Sequence, residues 1–397
     1  MAHSLTPRNR PHTPARKPFE LPEGFIRKYV ERAKAELGQE FKGITADGRA
    51  MPGLFPIRQT GVSTRPLVDT AQKLLVSLDA RQKAAISFEI DASAWRSWSN
   101  IHPYLMRHGV CFEDFSESQR PLALTLVRET LSAAGFETAR NVMKLNDHIR
   151  ELTGRSEEYG EWLYWLSIMG TPSTTDPWGW QVDGHHLVIN CFVLGDQLVL
   201  TPNFMGSEPV VAESGSYVGT RVLQEEEAKG FALMKALTPE QRRTATIGTE
   251  LPFDGMIAAF RDNLHMRYEG IGYADLSREQ QALLVALVET YVGRIRPGHA
   301  EIKLAEVKEH LAETHFAWIG GCDDDSTFYY RVHSPVILIE FDHQPGVALD
   351  NDTPSRNHIH TVVRTPNGND YGKDLLRQHY ERFDHSHAHT AHRRGLE

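Results

Sequence analysis

The stretch RNHIHTVVRTPNGNDYG, Arg356 to Gly372, decides how the rest of this chain reads. Taken as a strand, its alternation puts His358, His360, Val362 and Arg364 on one face and Ile359, Thr361 and Val363 on the other. Two imidazoles then share a face one pleat apart, so both can reach a single metal ion. The turn that follows adds Asn369, Asp370 and Tyr371 where the strand hands over to a helix, and polar groups converge there.

Working outward, the segments around this strand supply partners for it. QVDGHHLVINCFVLGDQLVLTP predicts a hairpin, with Leu187–Leu194 and Gln197–Leu200 turning at Gly195-Asp196. Read as consecutive residues at the start of the first strand, His185 and His186 point to opposite faces. His186 shares its face with Asn190 and is the preferred partner for the later histidines. The apolar run Val336 to Ile339 reads as an interior strand that ends in Glu340, Asp342 and His343. A carboxylate at such a place is costly unless it is paired, hydrogen-bonded or metal-bound, which makes Glu340 a candidate ligand or general base. Glu208, in the loop NFMGSEP, is a second candidate base.

The region from Arg65 to Gly154 reads as mostly helical. Leu67, Ala71, Leu74, Leu75 and Leu78 form one apolar stripe at helical spacing. Ser116 and Gln119 have capping-box spacing ahead of Leu122, Leu126, Val127 and Leu131, with Gly135 as the expected stop. A third helix runs through Val142, Leu145 and Ile149 to Gly154. Later, Thr238-Pro239-Glu240-Gln241 opens a helix with cap, proline and capping partner in order, and Ser277 to Val292 reads as another. Strand character returns in HFAWIGG and TFYYRVHSPVILIEF.

These elements predict an α+β protein: a helical N-terminal half packed on a mixed or antiparallel β-sheet formed mainly by the C-terminal half. The expected organisation is a disordered tail over 1–18, an arm with a short helix over 19–64, a single domain over 65–382 and a disordered histidine-rich tail over 383–397.

Composition limits the function classes. A chain of 397 residues with a net charge of −9 and no basic stripe argues against general nucleic-acid binding. No window approaches ~18 consecutive apolar residues, and the N-terminus lacks an apolar signal core, so the expectation is a cytoplasmic protein without a membrane partner. Cys111, Cys191 and Cys322 are far apart and form neither a thiolate zinc motif nor a disulfide framework. No HExxH helix, GxSxG elbow, P-loop or dinucleotide fingerprint is present.

The remaining constellation is His185, His186, His358 and His360 with Glu340. Three imidazoles, or two with a carboxylate, hold one divalent metal, zinc in the first instance and otherwise iron or copper. The expected activity is metal-dependent hydrolysis of a small amide or ester-like substrate by activated water, with Glu340 or Glu208 as base. The alternatives are an iron or copper oxygenase and a non-enzymatic protein that binds a small anion. Arg364 either clamps a substrate carboxylate or pairs with Asp370. Trp178, Trp180, Asn190, Asp370 and Tyr371 are the expected substrate contacts.

The segments WGWQVDGHHLVIN, FMGSEP, FYYRVHSPVILIEFDHQ and HIHTVVRTPNGNDYG, in that order, resemble the signature blocks of the domain-of-unknown-function 3500 family. The likeness runs from about Leu67 to Tyr380. It implies that the helical and strand parts form one unit, and it carries no reaction with it.

Overall fold

The computed structural model describes residues 6–17, 24–253 and 255–382. After helix α1 (Phe25–Leu37), the chain builds α2 (Arg65–Ser77), α3 (Ala80–Ile86), the short strands β1 (Ser87–Phe88) and β2 (Val110–Cys111), α4 (Arg120–Thr130) and α5 (Ala133–Thr153). Strands β3 (Tyr164–Met169), β4 (Trp178–Gly184), β5 (Leu187–Leu194), β6 (Gln197–Val199) and β7 (Asn203–Ser207) follow. The sequence of elements then starts again. Helices α6 (Gln224–Ala236) and α7 (Pro239–Ala245) lead to β8 (Thr246–Gly248), β9 (Ile271–Gly272), α8 (Arg278–Val292) and α9 (His299–Glu309). Strands β10 (His315–Gly320), β11 (Phe328–His333), β12 (Leu338–Gln344) and β13 (Ser355–Arg364) come next, and α10 (Lys373–Arg382) closes the described chain.

The fold is α+β, as the hydrophobic patterning requires. One mixed sheet runs β1-β3-β4-β5-β7-β13-β12-β11-β10-β8, so its order reads the same from either edge. At one edge β1 pairs parallel and β2 antiparallel with β3; at the other, β8 and β9 do the same with β10.

The registers show that this is an internal duplication. In the first half Val110 pairs with Leu166, Leu166 with Val182, Val182 with Ile189 and Ile189 with Asn203. In the second half Ile271 pairs with Phe316, Phe316 with Val332, Val332 with Ile339 and Ile339 with Val363. The two paths end on Asn203 and Val363, and these residues pair directly with each other. An approximate two-fold axis therefore passes between them.

The helices repeat the relation. Gln82 and Gln119 exchange side-chain hydrogen bonds at 3.0 Å, and Gln241 and Gln280 do so at 2.9 and 2.8 Å. Each pair ties two helix N-termini together through capping boxes. Gly109 and Gly270 also correspond: both take a left-handed φ of 92°, and an added Cβ would lie 2.3 Å from the Leu166 carbonyl oxygen and 2.1 Å from that of Phe316. Only glycine permits that approach.

Two expectations are corrected here. Gly135 does not stop a helix; it lies inside α5, where the carbonyl oxygen of Arg294 would be 2.3 Å from a Cβ. Residues 6–17 are not a free tail. Pro7 bridges to Leu349, the Arg8 amide donates to the Ala348 carbonyl at 2.8 Å, and Ala15 is fully buried. Charge pairing overrides the polar composition of this segment: Arg8 meets Asp352 at 2.9 Å and Arg10 meets buried Glu158 at 2.6 Å. Residues 1–5 and the histidine-rich segment 383–397 lie outside the described residues. Among the described residues no helix is long and apolar enough to cross a membrane.

Candidate metal centre

Three histidines meet beside the central pair of strands. The Nε2 atom of His186 lies 3.1 Å from those of His358 and His360, which are 3.0 Å from each other. All three residues are at least nine-tenths buried. Three imidazole nitrogens around one tetrahedral ion at ~2.0–2.1 Å stand about 3.3 Å apart. An opening of a few tenths of an ångström therefore admits a cation.

His358 and His360 reach this point by strand alternation, as their spacing predicts. His186 arrives differently. His185 and His186 are not the first residues of a strand but the two-residue tip between β4 and β5, closed by the Gly184–Leu187 pair. His186 has a left-handed φ of 62°, which costs a side-chain-bearing residue about 1 kcal/mol or more. Its N–H donates to the Asn100 carbonyl at 3.0 Å, and its own carbonyl accepts from Gly206 at 2.8 Å. The turn aims both rings the same way, and they stack with centroids 3.9 Å apart.

Gly206 leaves room for the cluster. A Cβ there would lie 2.9 Å from His360 Cδ2 and 3.1 Å from His186 Cδ2. The FMGSEP segment is thus the floor on which two of the rings rest.

The outer nitrogen of His358 fixes the tautomer of that ring. His358 Nδ1 donates to the Pro345 carbonyl at 2.7 Å; a carbonyl only accepts, so neutral His358 presents an unprotonated Nε2 to its neighbours. His360 Nδ1 stands 4.0 Å from the Asp342 carboxylate. Burial, followed by the charge of the neighbouring rings, holds His186 and His360 well below the usual histidine range. The His358 lone pair faces the Nε2 atoms of His186 at 3.1 Å and His360 at 3.0 Å, the point at which the three rings could share a cation.

His185 does not join the triad. Asn146 Nδ2 donates to the Gly160 carbonyl at 2.9 Å, so its Oδ1 is the atom that accepts from His185 Nδ1 at 2.8 Å. His185 Nε2 is therefore an acceptor at the wall of the site.

Glu208 and Glu340 have other work. Glu208 accepts from the amides of Val347, Ala348 and Leu349 and lies 3.9 Å from His358 Nδ1, anchoring the loop that carries Pro345. Glu340 accepts from the amides of Met256 and Ile257 at 2.9 Å, and burial raises its pKa in spite of them. Both are buried carboxylates held by backbone amides, and neither adds an oxygen to the cluster of three Nε2 atoms.

The expected substrate contacts are also spent elsewhere. Arg364 is fully buried and donates to Asp262, Asp370 and the carbonyls of Ile257 and Ala258, which leaves no clamp for a ligand. Asp370 accepts from Arg364 and the Thr365 amide, and Tyr371 accepts from Trp98 and donates to Asp262. Trp178 and Trp180 are fully buried on the core side of β4, and Asn190 bonds Gln181 and the Pro202 carbonyl.

A cavity of about 360 Å³ opens on the triad. Its wall includes His185, Asn100, His102, Arg8 and Arg10, the last four from segments that sequence spacing did not connect with the site. Asn100 lies next to His186 through the backbone bond described above. The two-fold-related position differs: the tip between β11 and β12 carries Pro335 and Val336, and β6 and its continuation bring Leu198, Val199 and Leu200 where β13 brings His358 and His360. A smaller space of about 60 Å³ lies there, lined in part by Leu198, Leu200 and Ile337.

Fold and site together define a duplicated α+β protein with one buried three-histidine centre at the junction of its halves. The family model for the protein of unknown function DUF3500 matches residues 60–373, and the chain belongs to that family. No curated protein and no solved structure matches it.

Proposed function

We propose that the protein is a metal-dependent hydrolase in which His186, His358 and His360 hold one divalent ion, zinc in the first instance. The observation that carries this reading is the convergence of three Nε2 atoms within 3.1 Å on the wall of a ligand-sized cavity. Three neutral imidazoles leave the ion its full charge, which lowers the pKa of water and polarises a carbonyl.

The chain's own groups do the rest. Pro345 and the Glu208-anchored loop keep the His358 lone pair directed inward. His185 Nε2, an acceptor on the same cavity wall, would accept a hydrogen bond from the attacking water. In amide hydrolysis the water oxygen bonds to the carbonyl carbon, the C–N bond breaks, and the departing nitrogen takes a proton from that water. No carboxylate base is required when the ion itself acidifies the nucleophile.

An all-histidine set also suits iron or copper, and oxygenation of a small substrate is the second reading. Three free cysteines fit a reducing, cytoplasmic setting. The test is product release from small amides and esters by zinc-loaded protein, compared with iron-loaded protein under oxygen. Hydrolysis with zinc that vanishes in His358→Ala supports the hydrolase. Oxygen consumption with iron and no hydrolysis with zinc overturns it.

A further inference from the structure

Asn100 is fully buried, borders the cavity, and among the described residues has no partner for either Oδ1 or Nδ2. Leaving a buried donor or acceptor unmet is costly, because the group has lost its water and gained nothing in exchange. Such groups persist where a ligand completes them. Asn100 stands next to the metal centre because its backbone carbonyl receives the His186 N–H at 3.0 Å.

Two more unmet groups flank it. His102 Nε2 lies 2.5 Å from the Thr13 hydroxyl and 3.1 Å from the Glu158 carboxylate. A carboxylate only accepts, so Nε2 carries the proton, and Nδ1 of the neutral ring is an acceptor. That Nδ1 is buried without a partner. Arg10 uses its terminal nitrogens on Glu158, Tyr159, Thr13 and the Pro11 carbonyl, while its Nε–H has no partner. This wall of the cavity therefore offers two acceptors, Asn100 Oδ1 and His102 Nδ1, and two donors, Asn100 Nδ2 and Arg10 Nε.

That balance selects a chemical class. An ester or a carboxylate has no hydrogen to donate and leaves both acceptors buried and unmet. A primary carboxamide presents its carbonyl oxygen and one N–H on the same edge, matching a side-chain amide such as Asn100 in a paired, two-bond contact. Ile101, Pro345, Phe253 (65% exposed) and Val347 (39% exposed) give the cavity an apolar part of its lining, alongside the polar Gln344 and Asp352. Phe253 and Val347 are among the few large hydrophobic side chains left exposed.

We propose that this site takes a small primary carboxamide, held through its amide by Asn100 and through its apolar body by Ile101, Phe253 and Val347, in preference to the corresponding ester or acid. This rests on the hydrolase reading of the same centre and narrows its substrate. Arg10 and His102 add directional contacts from the N-terminal segment and from the loop after Asn100.

The test is calorimetric titration of the full-length protein, with and without zinc, using benzamide, methyl benzoate and benzoate, alongside an assay for their hydrolysis. Benzamide should bind at least about ten-fold more tightly than either analogue, since sites built around buried hydrogen-bonding groups reject ligands that leave them unmet. Asn100→Ala should erase that preference at unchanged zinc content. If this variant fails to fold, the comparison of the three ligands on wild-type protein decides alone. Equal binding of amide and ester, or no binding of benzamide, overturns the proposal. Preferential binding of benzamide without turnover sinks the hydrolase reading and leaves the recognition; cleavage of the ester with no preference for the amide does the reverse.

Discussion

The Nδ1–H of His358 donates to the carbonyl oxygen of Pro345 at 2.7 Å. This one bond fixes the tautomer that leaves Nε2 unprotonated, the state a metal ligand requires. The carbonyl is itself held in place by the loop whose three amides converge on Glu208. Partners of this kind change metal affinity by about 10–100-fold when removed. Glu208→Gln should therefore lower zinc affinity in that range without removing a ligand, read by competition with a chelator. An unchanged affinity would show that the loop does not support the centre.

Gly206 offers a sharper steric test. A methyl group at this position would press on His360 and His186 and would lie 2.8 Å from the Ile359 carbonyl oxygen. Backbone cannot yield as a flexible side chain can, so the rings must move. Gly206→Ala should reduce zinc affinity by at least about ten-fold. Retention of wild-type affinity would mean that the rings are not confined as described.

Glu340 separates structure from chemistry. Its two oxygens receive the Met256 and Ile257 amides. Glu340→Gln places an NH₂ group against one of these donors and should destabilise the fold by about 1–3 kcal/mol, measured by denaturant unfolding. Zinc content should stay at the wild-type level. Loss of zinc with normal stability would return Glu340 to the ligand set.

Acid sensitivity follows from buried neutral histidines. Burial, the largest cause in each case, holds His102 and His299 down to about 4 and His333 down to about 3. The unfolded chain takes up these protons near pH 6.5, while the folded chain does not. Their contribution is fully present above pH 6.5 and is lost as pH falls toward 4, by up to about 1.4 kcal/mol per pH unit for each group. The unfolding midpoint should drop steadily between pH 6.5 and 4. A midpoint that is flat over that window would contradict the neutral, buried state of these rings.

Much of the frame was legible because it depends on short-range rules. The alternation of HIHTVVR, the Gly195-Asp196 hairpin and the capping boxes at Ser116 and Thr238 all depend on spacing within a few residues. The left-handed turn at His186 was not legible, since parity assumes an extended chain and the turn is imposed by Asn100 and Gly206 from elsewhere in the sequence. Asn100 and His102 stayed hidden for a similar reason. Their role comes from what they fail to bond, which spacing does not record.

The duplication left a trace that is visible once sought. Leu78-Asp79 with Gln82 recurs as Leu237-Thr238 with Gln241, and Asp114-Phe115-Ser116 with Gln119 recurs as Asp275-Leu276-Ser277 with Gln280, each about 160 residues later. These are the residues that cap and join the helices. The sheet positions diverged further: the first half alone has histidines at the tip between its strands, and the second half alone has them on the strand beside the axis.

The account stands on three histidines sharing one ion. Elemental analysis of the purified protein, set beside His186→Ala, His358→Ala and His360→Ala, tests this most directly. The prediction is about one zinc per chain, absent from each variant while the fold is retained. An equal metal content in wild type and all three variants would contradict it.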